Sequence, residues 1–260
     1  MTNYNPETYW SEVAARIKLR EGKNVIAGDD EPFYRYKRRR FLQMLNSVNF
    51  EGKNVLELGC GPGGNLLEAW KKSPKRLVGA DISDEMIKLS REKLPQDIEL
   101  VKINGVKLPF ADEEFDYVFT ATVLQHNTNE EMLRQIIAEI CRVSSEKVFL
   151  FERIEKKIKG DELCYGRPVG YYEEICRLHG FKLVNTEFIN IRVSYYVCGI
   201  IRKVFSPKTR KEGEALSRTA IFLQKIKLPF TIQLDKVFKS KKDVAKMEFV
   251  RVNTKKISNE

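Results

Sequence analysis

The sequence lacks several features that would place the protein in a specialised class. No run reaches the roughly 18 consecutive apolar residues that a membrane-spanning helix needs. The N-terminal stretch MTNYNPETYWSEV lacks the apolar core of a signal peptide. The five cysteines are scattered without a C-x-x-C pair, which argues against a disulfide framework or a zinc site. We therefore expect a cytoplasmic protein with reduced thiols and no bound metal.

Net charge is also absent from most of the chain. Residues 1–201 contain equal numbers of basic and acidic side chains, whereas residues 202–260 contain 16 Lys and Arg against 6 Asp and Glu, which accounts for the whole net charge of +10. With 260 residues, 42% of them hydrophobic, the chain can form one large α/β domain with an elaboration. The basic character therefore belongs to the C-terminal end.

Strand patterns alternate with helical periodicity through most of the chain. The apolar strand patterns occupy residues 54–59, 76–83, 98–104, 115–124, 147–152, 181–190 and, last, 246–253. This alternation predicts an α/β protein with a doubly wound, seven-stranded, mostly parallel sheet. Ligands of such sheets bind beyond the carboxyl ends of the strands, where the strand order reverses.

Two further segments flank the predicted sheet domain. The expected units are an N-terminal helical cap at 1–49, the core at 50–193, a basic, amphipathic, α-rich insertion at 194–245, and a final strand and tail at 246–260. Within the insertion, Pro229 is expected to end the second helix. The insertion could be a lid over an acceptor pocket, a dimer contact, or a surface for an anionic membrane or polyanionic substrate.

The stretch NVLELGCGPGG, residues 54–64, carries the first predicted strand into a glycine-rich turn. Its pattern G-x-G-x-x-G also occurs in dinucleotide sites, where glycines let a pyrophosphate approach the backbone. Glu57, two residues before the first glycine, would repel a diphosphate and favour a cationic ligand. Asp81 ends the second strand, where a carboxylate can accept hydrogen bonds from two ribose hydroxyls. Asn104 ends the third and can accept from an adenine amino group.

The combination of E-x-G-C-G-x-G, D-I-S, and N-G-x-x-L-P-F-x-D-x-x-F-D followed by V-L-Q-H resembles the class I S-adenosylmethionine-dependent methyltransferases, in the branch that acts on small molecules, glycans and lipids. The resemblance covers roughly residues 50–190. It implies a Rossmann-like methyltransferase fold, S-adenosyl-L-methionine as cofactor, S-adenosyl-L-homocysteine as product, and no metal. Asn104 departs from the family, which more often has Asp there.

The cofactor residues expected from this resemblance and from the position of the motifs form one set. They are Glu57, Gly59, Cys60, Gly61, Gly63, Asp81, Ile82, Met86, Asn104, Gly105, Val106 and Thr120, with Tyr34 and Arg38 of the cap closing over the methionine carboxylate.

Methyl transfer to a hydroxyl requires alignment, exclusion of water and a base. His126, just past the fourth strand, is the candidate base; alternatively it caps the next helix or binds the cofactor through its backbone. Glu152, at the end of the fifth strand, could orient His126, bind a substrate hydroxyl, or pair with a surface cation. The residues expected to bind the acceptor are Gln125, Tyr165, Arg167 and Tyr171.

The favoured function is O-methylation of a sugar, glycan or other small metabolite in the cytoplasm. A homodimer and peripheral contact with the inner membrane surface through 194–245 stay open. One rival is an RNA or protein methyltransferase that docks through the basic C-terminal region, and another is a non-catalytic adenosyl-cofactor-binding subunit. Nucleic acid is the less favoured partner, because no nucleic-acid module is recognised and the core is neutral. The residues do not name the acceptor, since one scaffold hosts many chemistries.

Overall fold

The computed structural model of the chain describes residues 5–19, 31–206 and 214–252, so the end of the expected C-terminal tail lies outside the described residues. The helices are α1 Pro6–Lys18, α2 Pro32–Asn46, α3 Gly64–Trp70, α4 Asp84–Arg91, α5 Glu130–Val143, α6 Val169–Leu178, α7 Arg192–Phe205 and α8 Arg218–Val237. The strands are β1 Asn54–Leu58, β2 Arg76–Asp81, β3 Glu99–Lys102, β4 Phe115–Ala121, β5 Ser144–Ile154, β6 Lys159–Asp161, β7 Cys164–Gly166, β8 Phe181–Phe188 and β9 Asp243–Arg251.

Seven of these strands form one sheet in the order β3-β2-β1-β4-β5-β9-β8. The pairs β1–β2, β2–β3, β1–β4 and β4–β5 are parallel, and only β9 runs against its two neighbours, β5 and β8. The strand order reverses between β1 and β4, so the carboxyl ends of these two strands flank the position where such sheets bind ligands. The predicted doubly wound, seven-stranded, mostly parallel fold is confirmed.

Apolar layers cover both faces of this sheet. On one face, side chains of β4 and β5 pack with α5 and α6, with Phe115, Ile137 and Tyr172 in the same cluster. On the other face, α2 and α3 pack against Phe119 and Phe151. Because the central strands are buried on both sides, their sequences read as continuous apolar runs.

A short hairpin, β6–β7, follows β5 and was not predicted. Its turn is fixed by Asp161, whose Oδ1 accepts hydrogen bonds from the backbone N–H groups of Leu163 and Cys164 at 3.0 and 3.1 Å. Gly160 permits close pairing, since a Cβ there would lie 1.8 Å from the carbonyl oxygen of Cys164. Strands of three residues are too short to show a period in the sequence.

The two helices before the last strand differ from expectation at Pro229. Helix α8 is continuous from Arg218 to Val237 with Pro229 inside it, so the predicted helix break is wrong. The helix buries residues on both sides of the proline, Leu228 and Thr231 among them, and Thr231 Oγ1 donates to the Leu228 carbonyl at 3.1 Å. Packing on both sides of the proline therefore outweighs its local cost.

Candidate functional site

The turn between β1 and α3 depends on three glycines in the left-handed region, Gly59, Gly61 and Gly63, with φ of 73°, 52° and 85°. The backbone N–H groups of Gly59 and Cys60 both donate to the Ala80 carbonyl of β2, at 2.7 and 3.1 Å. A Cβ on Gly59 would lie 2.3 Å from a methyl group of Val123, whereas one on Gly61 would meet nothing within 4 Å. Gly59 is thus required by packing, and Gly61 leaves open space beside the turn.

Asp81, the last residue of β2, connects this turn to the next helix. Its Oδ2 accepts from the Gly61 N–H at 2.8 Å and its Oδ1 from the Ser83 N–H at 2.9 Å. Ser83 then caps α4 by accepting from the Met86 N–H at 3.2 Å. The carboxyl is 6% exposed, and burial raises its pKa in spite of the backbone donors. Two short backbone contacts therefore hold Asp81 at the cavity edge.

A cavity of about 640 Å³ lies beyond the carboxyl ends of β1, β2 and β4, within the size range of small-molecule sites. Twelve of the predicted residues line it: Tyr34, Arg38, Gly59, Cys60, Gly61, Asp81, Ile82, Met86, Gly105, Val106, Gln125 and His126. Eight others do not: Glu57, Gly63, Asn104, Thr120, Glu152, Tyr165, Arg167 and Tyr171. The first group surrounds the turn and the loop after β4.

Glu57 lies beneath the cavity wall instead of facing it. Its side chain is fully buried, and its Oε1 accepts from the Asn65 amide at 2.7 Å. Asn65, which lines the cavity, in turn accepts a short hydrogen bond from Arg38. Burial raises the pKa of Glu57 to about 8. The expectation that Glu57 repels a diphosphate by direct contact is therefore wrong. Its carboxyl does not line the cavity, and Asn65 stands between the two.

Glu152 also departs from its expected position in the cleft. It is fully buried and accepts hydrogen bonds from Thr120 Oγ1 at 2.8 Å and from the backbone N–H groups of Val123 and Gln125, each at 3.1 Å. Burial raises its pKa to about 7. The side chain points under the loop after β4, so Glu152 and Thr120 hold the loop that carries Gln125 and His126.

Arg167, Tyr165 and Tyr171, expected to bind the acceptor, lie behind the same loop and do not line the cavity. The Arg167 side chain is fully buried and donates to Glu130 and to the Asn127 carbonyl, each at 2.7 Å. It also lies 5.4 and 5.5 Å from the ring centroids of Tyr165 and Tyr171. The β6–β7 hairpin turns the chain away from the cavity before Arg167, which explains why its expected position was wrong.

Asn104 and Gly63 are the remaining predicted residues outside the cavity wall. Asn104 is exposed, and its Oδ1 accepts from Lys102 Nζ at 2.8 Å. Gly63 is the N-cap residue of α3, and a Cβ there would lie 2.7 Å from Leu94. Gly63 is therefore needed for packing of the turn, and the neighbouring Gly105 and Val106 line the cavity instead of Asn104.

The tautomer of His126 follows from its two partners. Gln125 Oε1 accepts from the Arg153 N–H at 3.2 Å, so its amide nitrogen is the group that faces His126 Nε2 at 3.1 Å. His126 Nδ1 lies 2.8 Å from the Leu163 carbonyl, which can only accept. Nδ1 therefore carries the hydrogen and Nε2 is the acceptor in the neutral ring. The Trp10 ring meets the imidazole edge-on, with centroids 5.0 Å apart.

Helix α1 supplies lining residues that the sequence did not assign to the site. Tyr9, Val13 and Ile17 lie on one face at spacings of four residues and line the cavity with Trp10. Ser11 is hydrogen-bonded to Ser83 at 3.0 Å and Glu7 forms a salt bridge with Lys102 at 2.8 Å, so both link α1 to the carboxyl ends of β2 and β3. The apolar stripe was visible in the sequence, but nothing there indicated that it covers the carboxyl ends of the strands.

Three cations line the wall near α2 and α7. Arg202 donates to the Tyr34 hydroxyl at 2.7 Å and lies 4.8 Å from that ring, while Lys37 pairs with Asp243 at 2.9 Å. Arg38, at 5.3 Å from the Phe41 ring, is the third. Lys37 and Arg202 were missed because their partners are far away in the sequence.

The described part of the chain contains no group of three or more His, Cys, Asp or Glu side chains suited to a metal ion. Among the described helices, none combines the length and apolar composition required to cross a lipid bilayer.

Residues 55–147 match a methyltransferase domain family. Demethylmenaquinone methyltransferase of Listeria welshimeri is 34% identical over 99 residues, which cover 36% of this chain and 41% of that protein. Sterol 24-C-methyltransferase of Pneumocystis carinii is 26% identical over 184 residues, covering 60% of this chain and 48% of that protein. The chain thus spans less than half the length of these curated relatives.

Solved structures match over nearly the whole chain at low identity. The crystal structure of the [4+2]-cyclase SpnF superposes with a TM-score of 0.67 at 14% identity, covering 95% of both chains. Magnesium protoporphyrin IX methyltransferase from Synechocystis, with S-adenosylmethionine bound, gives a TM-score of 0.58 at 15% identity and 94% coverage of both chains. At these identities the matches establish the shared fold.

Proposed function

We propose that this chain, whose residues 55–147 match a methyltransferase domain family, is a class I S-adenosylmethionine-dependent methyltransferase that binds S-adenosylmethionine in the 640 Å³ cavity and methylates a small, largely apolar acceptor. One observation carries the proposal: Asp81 and the glycine turn meet in a single cavity wall at the point where the strand order reverses.

The residues of this wall fit the chemical groups of S-adenosylmethionine. Asp81 would accept hydrogen bonds from the ribose hydroxyls, and the open side of Gly61 would admit the chain of the amino acid. Arg38 would meet the carboxylate. Within the described residues, Glu57 Oε2 is buried without a hydrogen-bond partner, and Asn65 links this carboxyl to the cavity. The cofactor supplies an electrophilic methyl group on a sulfonium.

The rest of the cavity is suited to an apolar acceptor. Trp10, Phe41, Leu163, Ile189 and Val244 line it. A sugar or glycan, the acceptor favoured from the sequence, would place some of its hydroxyl groups against the aliphatic and Phe41 side chains of this part of the wall, at a cost in desolvation. The names of the curated relatives, a demethylmenaquinone and a sterol methyltransferase, lend support to an apolar acceptor.

His126 is the candidate base on the acceptor side. Its Nε2 is the unprotonated nitrogen and faces Gln125 in this state, so a hydroxyl or protonated amine of the acceptor would replace the Gln125 amide there. Nδ1, bound to the Leu163 carbonyl, would keep the ring oriented during proton transfer. Glu152 acts as a positioning residue, since it holds the backbone of the same loop.

Removal of the Asp81 carboxylate tests the cofactor site. Since each hydrogen bond to a charged group contributes about 1.5–3 kcal/mol, Asp81→Ala should weaken S-adenosylhomocysteine binding at least about 100-fold in titration calorimetry. Glu131→Ala, on the exposed face of α5, is the matched control and should bind as the wild type does. Tight binding of NADH, with no heat of binding from S-adenosylmethionine or S-adenosylhomocysteine, would overturn the proposal.

Replacement of His126 tests the chemistry separately from binding. His126→Asn should lower kcat about 100-fold and remove the acidic limb of its pH profile, while leaving the Kd of S-adenosylhomocysteine unchanged. His179→Asn, at the exposed end of α6, is the control and should leave kcat unchanged. Full turnover by His126→Asn would exclude His126 as the base.

Because the fold is shared with a [4+2]-cyclase, a screen that finds cofactor binding but no methylated product would favour a role without methyl transfer.

A further inference from the structure

Exposed apolar side chains are concentrated on α7 and α8. Of the 19 large hydrophobic side chains exposed in the described residues, 11 lie between Tyr195 and Phe238. Single exposed hydrophobic residues are common on protein surfaces, but a cluster on two adjacent helices indicates an interaction site.

These side chains form a regular stripe on each helix. On α8, Phe222, Ile226, Phe230 and Leu234 recur every fourth residue and Val237 extends the same face, with Phe230 70% exposed. On α7, Tyr196, Ile200 and Val204 recur at the same spacing. Residues four apart lie on one helix face, so each helix presents a continuous apolar strip to solvent.

The opposite face of α8 is buried and partly polar, which fixes the orientation of the stripe. Gln224 Oε1 accepts from the Phe33 N–H at 3.1 Å, and Asp235 Oδ1 accepts from the Val193 N–H at 2.7 Å. Thr231 Oγ1 lies 2.8 Å from Ser194 Oγ. The helix cannot rotate its aromatic residues inward without breaking these contacts, so their exposure is built into the fold.

Basic side chains border the stripe. Residues 192–242 contain 13 Lys and Arg against 3 Asp and Glu, and one of these acids, Asp235, is buried. On α8, the exposed residues Arg218, Lys225 and Lys236 follow one edge of the apolar strip. An apolar strip edged by cations is typical of helices that lie in the surface of an anionic bilayer.

From this arrangement we infer that the exposed face of α7 and α8 docks the protein on an anionic lipid membrane. The aliphatic and aromatic side chains enter the headgroup boundary, and the cations meet lipid phosphates. A second copy of the chain would set lysine against lysine. A nucleic acid would pair its phosphates with the cations of this face, but it would leave the exposed aliphatic side chains in contact with water. Arg202 of α7 lines the cavity, so docking here brings the cavity near the lipid.

The test is co-sedimentation of the full chain with vesicles of phosphatidylglycerol and phosphatidylcholine in equal parts, and with pure phosphatidylcholine. The wild type should partition onto the anionic vesicles and be released as salt is raised. The double variant Ile226→Asp and Phe230→Asp should lower the partition coefficient about 100-fold, since two apolar anchors are lost and two like charges are added. Lys225→Gln should lower it about fivefold on anionic vesicles alone.

Leu178→Asp is the matched control, because Leu178 is 65% exposed and lies on α6, away from the two stripes. It should bind vesicles as the wild type does, and thermal unfolding checks that every variant is folded. Equal partitioning of the double variant and the wild type would overturn the inference. So would a dimer that the double variant converts to monomer without any vesicle binding, or RNA binding with no lipid binding. None of these readouts depends on methyl transfer.

Discussion

Two of the buried carboxyl groups, Asp235 and Glu57, lie in different regions of the molecule and have very different sets of hydrogen-bond donors. In the α7–α8 pair, Asp235 accepts from the Tyr36 hydroxyl at 3.2 Å, the Ser194 hydroxyl at 2.5 Å and the backbone N–H groups of Val193 and Ser194 at 2.7 and 3.2 Å. At the end of β1, Glu57 accepts from Asn65, and its second oxygen has no partner among the described residues.

The contrast separates a carboxyl with several donors on its two oxygens from one whose second oxygen has no partner among the described residues. Asp235 ties α7 and α8 to each other and to α2, and its donors satisfy both oxygens. Glu57 sits one side chain away from the cavity with spare acceptor capacity, and a buried polar atom without a partner indicates either strain or a missing ligand. The same fold therefore contains a closed polar cluster between α7 and α8 and an open one beside the glycine turn after β1.

Loss of Asp235 should give the largest effect on stability. Asp235→Ala leaves two hydroxyl groups and two backbone N–H groups buried without their acceptor, so the free energy of unfolding should fall by about 3–5 kcal/mol. Asp235→Asn keeps one acceptor oxygen and should cost about 1–2 kcal/mol. Urea denaturation followed by circular dichroism measures both. If the two variants lost the same free energy, the network around this carboxylate would not be the source of its stabilisation.

The sheet and the turn could be predicted from the sequence because both leave local signals. Strands buried on two faces appear as apolar runs, and the turn after β1 requires glycines. The direction of single side chains could not be predicted in the same way. Glu152 and Arg167 carry suitable chemistry near strand ends, but β5 continues to Ile154 and the hairpin after it turns the chain away. Spacing places a residue along the chain, and tertiary packing decides which way it points.

The helices of the insertion show the same limit in another form. The period of α8 was visible in the sequence, but a period does not say which face is inward, and here Gln224, Thr231 and Asp235 lie on the buried side. Their partners, such as Phe33 and Ser194, are distant in sequence or belong to another helix. Such long-range pairs leave no local pattern, so neither the buried face nor the continuation through Pro229 could be predicted.

The two glycines of the turn should separate packing from ligand binding. Gly59→Ala adds a Cβ 2.3 Å from Val123 at a residue with φ of 73°, and should destabilise the fold by about 2–4 kcal/mol. Gly61→Ala has φ of 52° but open space around the Cβ, so it should cost only about 1–2 kcal/mol. Because Gly61 faces the cavity, its variant should show the greater loss of S-adenosylhomocysteine affinity per unit of stability lost. Denaturation and calorimetry together measure both quantities. If Gly59→Ala lost more affinity per unit of stability lost than Gly61→Ala does, this would count against the cavity as the cofactor site.

The last prediction concerns the pH dependence of stability that the buried Glu57 carboxyl contributes. Burial raises the pKa of Glu57 from 4.5 to about 8, so between these values the folded state holds a proton that the unfolded state has released. Stability from this group is complete below pH 4.5 and is lost as pH rises through about 8, with a slope of at most about 1.4 kcal/mol per pH unit. Glu57→Gln, which cannot ionise, should therefore gain stability relative to the wild type as pH increases, whereas Glu131→Gln on exposed α5 should not. A constant difference between Glu57→Gln and the wild type in denaturation at about pH 5 and about pH 8 would show that Glu57 is ionised in the free protein, and that it is as well compensated as Asp235.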